Sequence, residues 1–258
     1  MKPIETLTAR LRRRMSLRRP REVRPAALGG LRMVVPWGYE GVYADGYEPG
    51  VASALERVVR PGHACADIGA HLGYFALFMA RISGPEGNIV AFEADEDNAR
   101  FIRKSVDANK RSARIEVRTV AVTDGAAPRV PLYAGRAGGG MEWTVSQEFA
   151  EREDVAPTEH ASHDVPAVSL DVAFPTGIPL DVAKMDIEGG EAIALRGASR
   201  LLSDQRPTFV IEFHREVGWP AIEILLDANY ALEHLDGTAL GRPQDADAVP
   251  YQFVARPV

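Results

Sequence analysis

The run Ala66-Asp67-Ile68-Gly69-Ala70-His71-Leu72-Gly73-Tyr74-Phe75 joins one apolar stretch to a second apolar stretch of helical period. A carboxylate at a strand end, followed by a glycine-bearing turn into a helix N-terminus, opens a nucleotide-binding βα unit. The spacing departs from both common phosphate motifs. Gly69-x-x-x-Gly73 lacks the middle glycine of G-x-G-x-x-G and the Gly-Lys-Ser/Thr of a P-loop. A second carboxylate, Glu93, closes the next apolar stretch, Ala91-Phe92-Glu93. It falls roughly 20 residues after the turn, where a Rossmann-like sheet reaches ribose hydroxyls. The ligand implied is a nucleoside without a pyrophosphate.

The rest of the chain repeats that unit. Strand-like apolar stretches are expected at 31–35, 63–68, 88–93, 115–122, 180–185 and 208–213, with helical periods at 51–59, 72–82, 95–109, 191–202 and 219–228. Such alternation predicts an α/β, Rossmann-like fold with a mostly parallel sheet and helices on both faces. Short strands at 230–234 and 251–255 add a C-terminal hairpin, and with the five from 63–68 to 208–213 they make a sheet of seven strands. Residues 124–170 break the pattern, because Gly135, Gly138, Gly139, Gly140, Pro128, Pro131, Pro157 and Pro166 interrupt any regular helix. They are expected to form an insertion, with 135–165 as a lid or wall over an acceptor pocket. The division is residues 1–45 as a basic N-terminal extension and 46–258 as the main domain.

At 258 residues, with 46% apolar side chains, the chain can bury one large core. No apolar run approaches the roughly 18 residues of a membrane span, and the N-terminus has no apolar signal segment. Cys65 is the single cysteine, which excludes an internal disulfide and fits a reducing cytoplasm. The net charge of −6 divides unevenly: residues 1–24 carry +7, leaving −13 for the remainder. An acidic body argues against a nucleic-acid partner, whereas the arginine-rich arm suits contact with an anionic surface.

Five acidic or basic positions carry the expected chemistry. Asp67 is placed to meet the ammonium of a cofactor's methionine part, directly or through water, with Gly69 and Gly73 letting the backbone approach the ligand. S-adenosylmethionine is a nucleoside cofactor of the implied kind. Glu93 is assigned the ribose, with Asn98 supporting it and Ala121 or Asp124 meeting the adenine. Asp186 closes the strand before helix 191–202 and is expected to face the same crevice, as general base, orienting carboxylate or metal ligand. Glu188 and Glu191 read as helix N-terminal acids. Glu212 and His214 share a strand face by the two-residue period, and His214 or Asp186 is the expected base. If a divalent metal takes part, Asp186, Glu212 and His214 are its ligands. His160-x-x-His163-Asp164 lacks the spacing of a zinc site.

The ordered set Gly46-Tyr47-Glu48-Pro49, Asp67 to Tyr74, Ala91-Phe92-Glu93, Ser169-Leu170-Asp171, Lys184 to Glu191, Leu195-Arg196-Gly197-Ala198 and Glu212-Phe213-His214 resembles the FkbM-type methyltransferases. His71 and Gly190 replace the commoner Asn and Ala of that pattern. The resemblance implies a class I methyltransferase sheet, S-adenosylmethionine as cofactor, and O-methylation of a sugar, glycan or polyketide-type hydroxyl. Tyr74, following the second glycine of the turn, joins Asp67, Gly69, Gly73, Glu93, Asn98 and Ala121 as an expected cofactor residue. Two other readings are a nicotinamide-dependent oxidoreductase, which the missing G-x-G-x-x-G and Tyr-x-x-x-Lys disfavour, and a non-catalytic Rossmann-like module.

Overall fold

A computed structural model of the chain describes residues 17–109, 114–134, 143–147 and 163–258. Its strands are β1 (Pro20–Val23), β2 (Met33–Pro36), β3 (Ala64–Ile68), β4 (Asn88–Phe92), β5 (Ile115–Arg118), β6 (Ala121–Thr123), β7 (Arg129–Ala134), β8 (Trp143–Thr144), β9 (His163–Ser169), β10 (Val182–Met185), β11 (Thr208–Glu212), β12 (Tyr230–Glu233) and β13 (Gln252–Pro257). Its helices are α1 (Glu40–Ala44), α2 (Pro49–Val58), α3 (Tyr74–Ser83), α4 (Glu96–Ala108), α5 (Leu170–Ala173), α6 (Glu191–Arg196) and α7 (Arg215–Asp227).

Seven strands form the main sheet in the order β12-β13-β11-β10-β3-β4-β5. The β11-β10-β3-β4-β5 pairs are parallel, and β13 runs antiparallel between β11 and β12. This is the expected class I methyltransferase sheet. Strand order reverses between β3 and β10, so a crevice opens at their C-terminal ends, where open α/β sheets take ligands. The pleat divides the core. Cys65, Val182 and Val210 pack on one face with α2, α3 and α4, while Ala66, Ala183 and Phe209 pack on the other with α6 and α7. Asp67 and Lys184, register partners across β3 and β10, continue the α3-side row.

Four expectations change. The strand expected over 115–122 is two, because the chain leaves the main sheet after Arg118 and enters another at Ala121. Residues expected to be an irregular insertion build that second sheet, ordered β6-β9-β7-β8, in which Leu132 and Val165 bury a small core with Ala121. The helix expected over 191–202 ends at Arg196, and α7 begins at residue 215 with Pro220 inside it. The stretch before residue 45 also contributes to the main core, since Leu28, Leu31, Met33, Val35 and Tyr43 are buried in it. Strand β2 docks on α4 through Val34 N–H to Ser105 Oγ (2.8 Å) and Arg32 N–H to Asn109 Oδ1 (2.9 Å). Residues 1–16, with most of the arginine-rich arm, lie outside the described residues, as do 135–142 and 148–162, which hold Gly138-Gly139-Gly140, His160 and most of the expected lid.

Candidate active site

A cavity of about 340 Å³ opens at the C-terminal ends of the central strands. Among its lining residues are Gly69, His71, Tyr74, Glu93, Ala121, Lys184, Asp186, Glu188 and Glu212, with Leu132, Trp143 and Val145 contributed from around the second sheet.

The turn after β3 is held by β4. Gly69 N–H and Ala70 N–H both donate to the Phe92 carbonyl (3.0 and 2.9 Å), and His71 N–H donates to Glu93 Oε2 (2.8 Å). Three successive amides therefore point at the protein, which leaves no amide nest for a pyrophosphate. Glu93 is fixed from its other oxygen by Asp95 N–H (2.8 Å) and further by the Asn98 side chain. Burial pushes its carboxyl up to about 8, against those hydrogen bonds. A buried acid so placed is satisfied by further hydrogen-bond donors, which a ribose diol supplies. Asn98 does not line the cavity; it acts through Glu93 and as a backbone donor to the Asp95 cap of α4 (2.9 Å).

The glycines act differently from expectation. Gly69 adopts φ +84°, and a Cβ there would overlap the Asp186 carbonyl oxygen. Gly73, at φ +85°, faces Ile102 of α4 instead of the cavity. Both are needed for close packing of the chain on itself.

Asp67 also departs from its expected role. Both carboxylate oxygens are inaccessible, the Ala76 amide in the first turn of α3 favours the carboxylate, and Asp67 does not line the cavity. Burial pushes its carboxyl up to about 6, opposed mainly by the Lys184 ammonium.

At the other wall, Asp186 accepts from Lys184 Nζ at Oδ2 (3.0 Å), while its buried Oδ1 has no partner among the described residues. Glu212 accepts from Tyr251 Oη–H at Oε1 (2.6 Å) and from Gln252 Nε2–H at Oε2 (2.8 Å). Burial, then the Asp186 charge, pushes its carboxyl up to about 7.

His214 is brought beside these groups but is not the free imidazole a base requires. It is 5% exposed, with Nδ1 3.1 Å from Glu191 Oε1 and Nε2 3.3 Å from Glu188 Oε2. Burial disfavours the charged ring, but the hydrogen bonds to Glu188 and Glu191 outweigh it and push the pKa up to about 11. The two carboxylates favour the charged ring, and it does not line the cavity. Glu191, fully buried, also accepts Gly189 N–H (3.2 Å), so it is more than a helix-end acid.

Asp186, Glu212 and His214 each offer an atom within 4.8 Å of the others, the spacing of a metal site. A ligating imidazole needs a lone pair, and here two carboxylates hold both ring nitrogens as donors, so His214 would have to release Glu188. Two lining residues escaped the sequence reading. Lys184 read only as part of a motif. His71 has Nδ1 3.2 Å from the Tyr43 hydroxyl, and burial pushes its pKa down to about 4, leaving a neutral ring.

The family profile described as Methyltransferase FkbM domain matches residues 67–232. The chain belongs to this family, which disfavours the nicotinamide reading. Similar solved structures include a methyltransferase FkbM from Methylobacillus flagellatus (17% identity, TM-score 0.47, covering 78% of this chain and 49% of that one). Fibrillarin from Aeropyrum pernix, in complex with natively bound S-adenosyl-L-methionine, is another (16% identity, TM-score 0.45, covering 89% and 90%). An S-adenosylmethionine-dependent O-methyltransferase from Thermotoga maritima is a third (12% identity, TM-score 0.45, covering 82% and 66%). This chain thus spans about half the length of the Methylobacillus protein. A comparison with curated proteins gives no match. No helix among the described residues is long and apolar enough to cross a membrane.

Proposed function

We propose that the protein methylates a hydroxyl oxygen of a sugar, glycan or polyketide-type small molecule, with Asp186 as general base. The observation that carries this reading is that Asp186, whose buried Oδ1 has no partner among the described residues, lines the same cavity as Glu93. When bound, the cofactor supplies a methyl group already activated on sulfonium sulfur. The turn at Gly69–His71, Tyr74 and Glu93 would hold its nucleoside and amino-acid ends, with Ala121 on the adenine side. Asp186 accepts the hydroxyl proton as the oxygen becomes an ether, and Glu212 orients the acceptor through its hydrogen-bonded carboxylate. A hydroxyl is too weak an acid to ionise alone at neutral pH, so a positioned base is worth roughly 100-fold or more in rate.

Acceptor chemistry follows from the rest of the wall. Tyr43, Tyr47 and Tyr251 offer ring faces beside Glu48, Glu188 and Glu212. Ring faces with carboxylate acceptors suit a polyhydroxylated molecule, whereas the acidic body disfavours a nucleic-acid acceptor. A single buried cysteine fits a cytoplasmic enzyme.

The test is methyl transfer from isotope-labelled S-adenosylmethionine to panels of monosaccharides, glycans and polyketide alcohols, each with and without EDTA. Label in an ether-linked product, undiminished by EDTA, is the expected result. Label only on nitrogen or carbon would overturn the O-methyl reading. Turnover that EDTA abolishes and magnesium restores would replace the base with a metal at Asp186, Glu212 and His214.

A further inference from the structure

Lys184 lies between two carboxylates that serve different places. Its ammonium donates to Asp186 Oδ2 at 3.0 Å and rests 5.2 Å from the centre of the Phe75 ring. Asp67 is its direct register partner on β3, on the same face of the sheet. Lys184 lines the cavity; Asp67, 1% exposed and beside the Ala76 amide of α3, does not. A buried carboxylate is costly unless a charge balances it, and Lys184 is the leading favourable charge acting on Asp67, ahead of the Ala76 amide.

We infer that Lys184 is a positioning residue. With its charge balanced by its register partner Asp67, it holds Asp186 Oδ2 so that Oδ1 is left for the acceptor, and Asp67 serves the acceptor end of the site without touching the cofactor. The inference rests on the reading of Asp186 as base. It assigns to Asp67 a task different from the cofactor contact expected of an acid at the first strand end. The ammonium has three donors, one of them committed to Asp186, so it can hold both carboxylates at once. Phe75 covers its remaining flank and favours a cation by its ring face.

The experiment compares Asp67→Asn, Lys184→Met, Lys184→Arg and the double variant Asp67→Asn/Lys184→Met. S-adenosylhomocysteine affinity is measured by calorimetry, and kcat and KM with the acceptor found in the panels. The double variant removes both buried charges together, so it keeps the test available if Lys184→Met alone fails to fold. Each neutralised variant that folds is expected to bind S-adenosylhomocysteine within about threefold of the parent and to lose roughly tenfold or more in kcat. Lys184→Arg should retain more kcat than Lys184→Met, and the double variant should lose no more than the sum of its parts. Tenfold weaker binding in Asp67→Asn with kcat unchanged would overturn the inference by returning Asp67 to the cofactor. A double variant with parental kcat, or equal loss in the Arg and Met variants, would overturn it by removing Lys184 from positioning. Failure of the parent to bind S-adenosylhomocysteine at all would instead sink the functional reading beneath it.

Discussion

Gly69→Ala is expected to unfold the cofactor end of the site. The residue holds φ +84°, and an added Cβ would overlap the backbone oxygen of Asp186, which cannot swing aside as a side-chain tip would. The left-handed conformation costs a non-glycine residue about 1–2 kcal/mol. Forcing extra volume into a close-packed contact typically adds about 1–3 kcal/mol. Together these predict a loss of roughly 2–5 kcal/mol, or about 4–20 °C in Tm for a chain of this size. The β3 and β10 ends should separate, so S-adenosylhomocysteine binding should fall with stability. Gly41→Ala is the matched control, because Gly41 has open space around it and no positive φ. Thermal unfolding decides the matter: equal Tm for the two variants would show that the β3 turn tolerates a side chain.

Asp186→Asn should separate chemistry from binding. The change keeps the shape and one acceptor oxygen but removes the basic carboxylate. A drop of roughly 100-fold or more in kcat is expected, with S-adenosylhomocysteine affinity close to that of the parent. His214→Ala should behave otherwise. Removing the imidazolium leaves the fully buried Glu191 without its cationic partner, so the expected loss is in stability. Full kcat in Asp186→Asn, measured with the acceptor found in the panels, would remove Asp186 as the base.

The main sheet was legible because its strands and helices carry the two periods cleanly, and each strand end is marked by a polar residue. The change of sheet after Arg118 was not, since Ile115 to Val122 continues one β-like pattern across it. The second sheet was hidden for a related reason. Pro131 and Pro166 argue against strands when read singly, and only the pairing of β7 with β9, distant in sequence, accommodates them. At the site, Glu93 and Asp186 reach the cavity as their strand-end positions imply. His214 was misread because its two carboxylate partners come from a loop and a helix start more than twenty residues earlier. That Asp67 lies outside the cavity lining while its register partner Lys184 is in it was not legible either, because an acid at a strand end carries no sign of its neighbour on the next strand.

The central claim is that the cavity between the β3 turn and Glu93 holds the cofactor. Calorimetric titration of S-adenosylhomocysteine into the parent chain and into Glu93→Ala tests it most directly. Glu93 accepts from the His71 and Asp95 amides, and its remaining lone pairs are the proposed ribose acceptors. Losing hydrogen bonds to a buried acid costs on the order of 1–3 kcal/mol, or roughly tenfold to a hundredfold in affinity. The account predicts binding by the parent and that loss in Glu93→Ala. Equal affinity in the two proteins would contradict it.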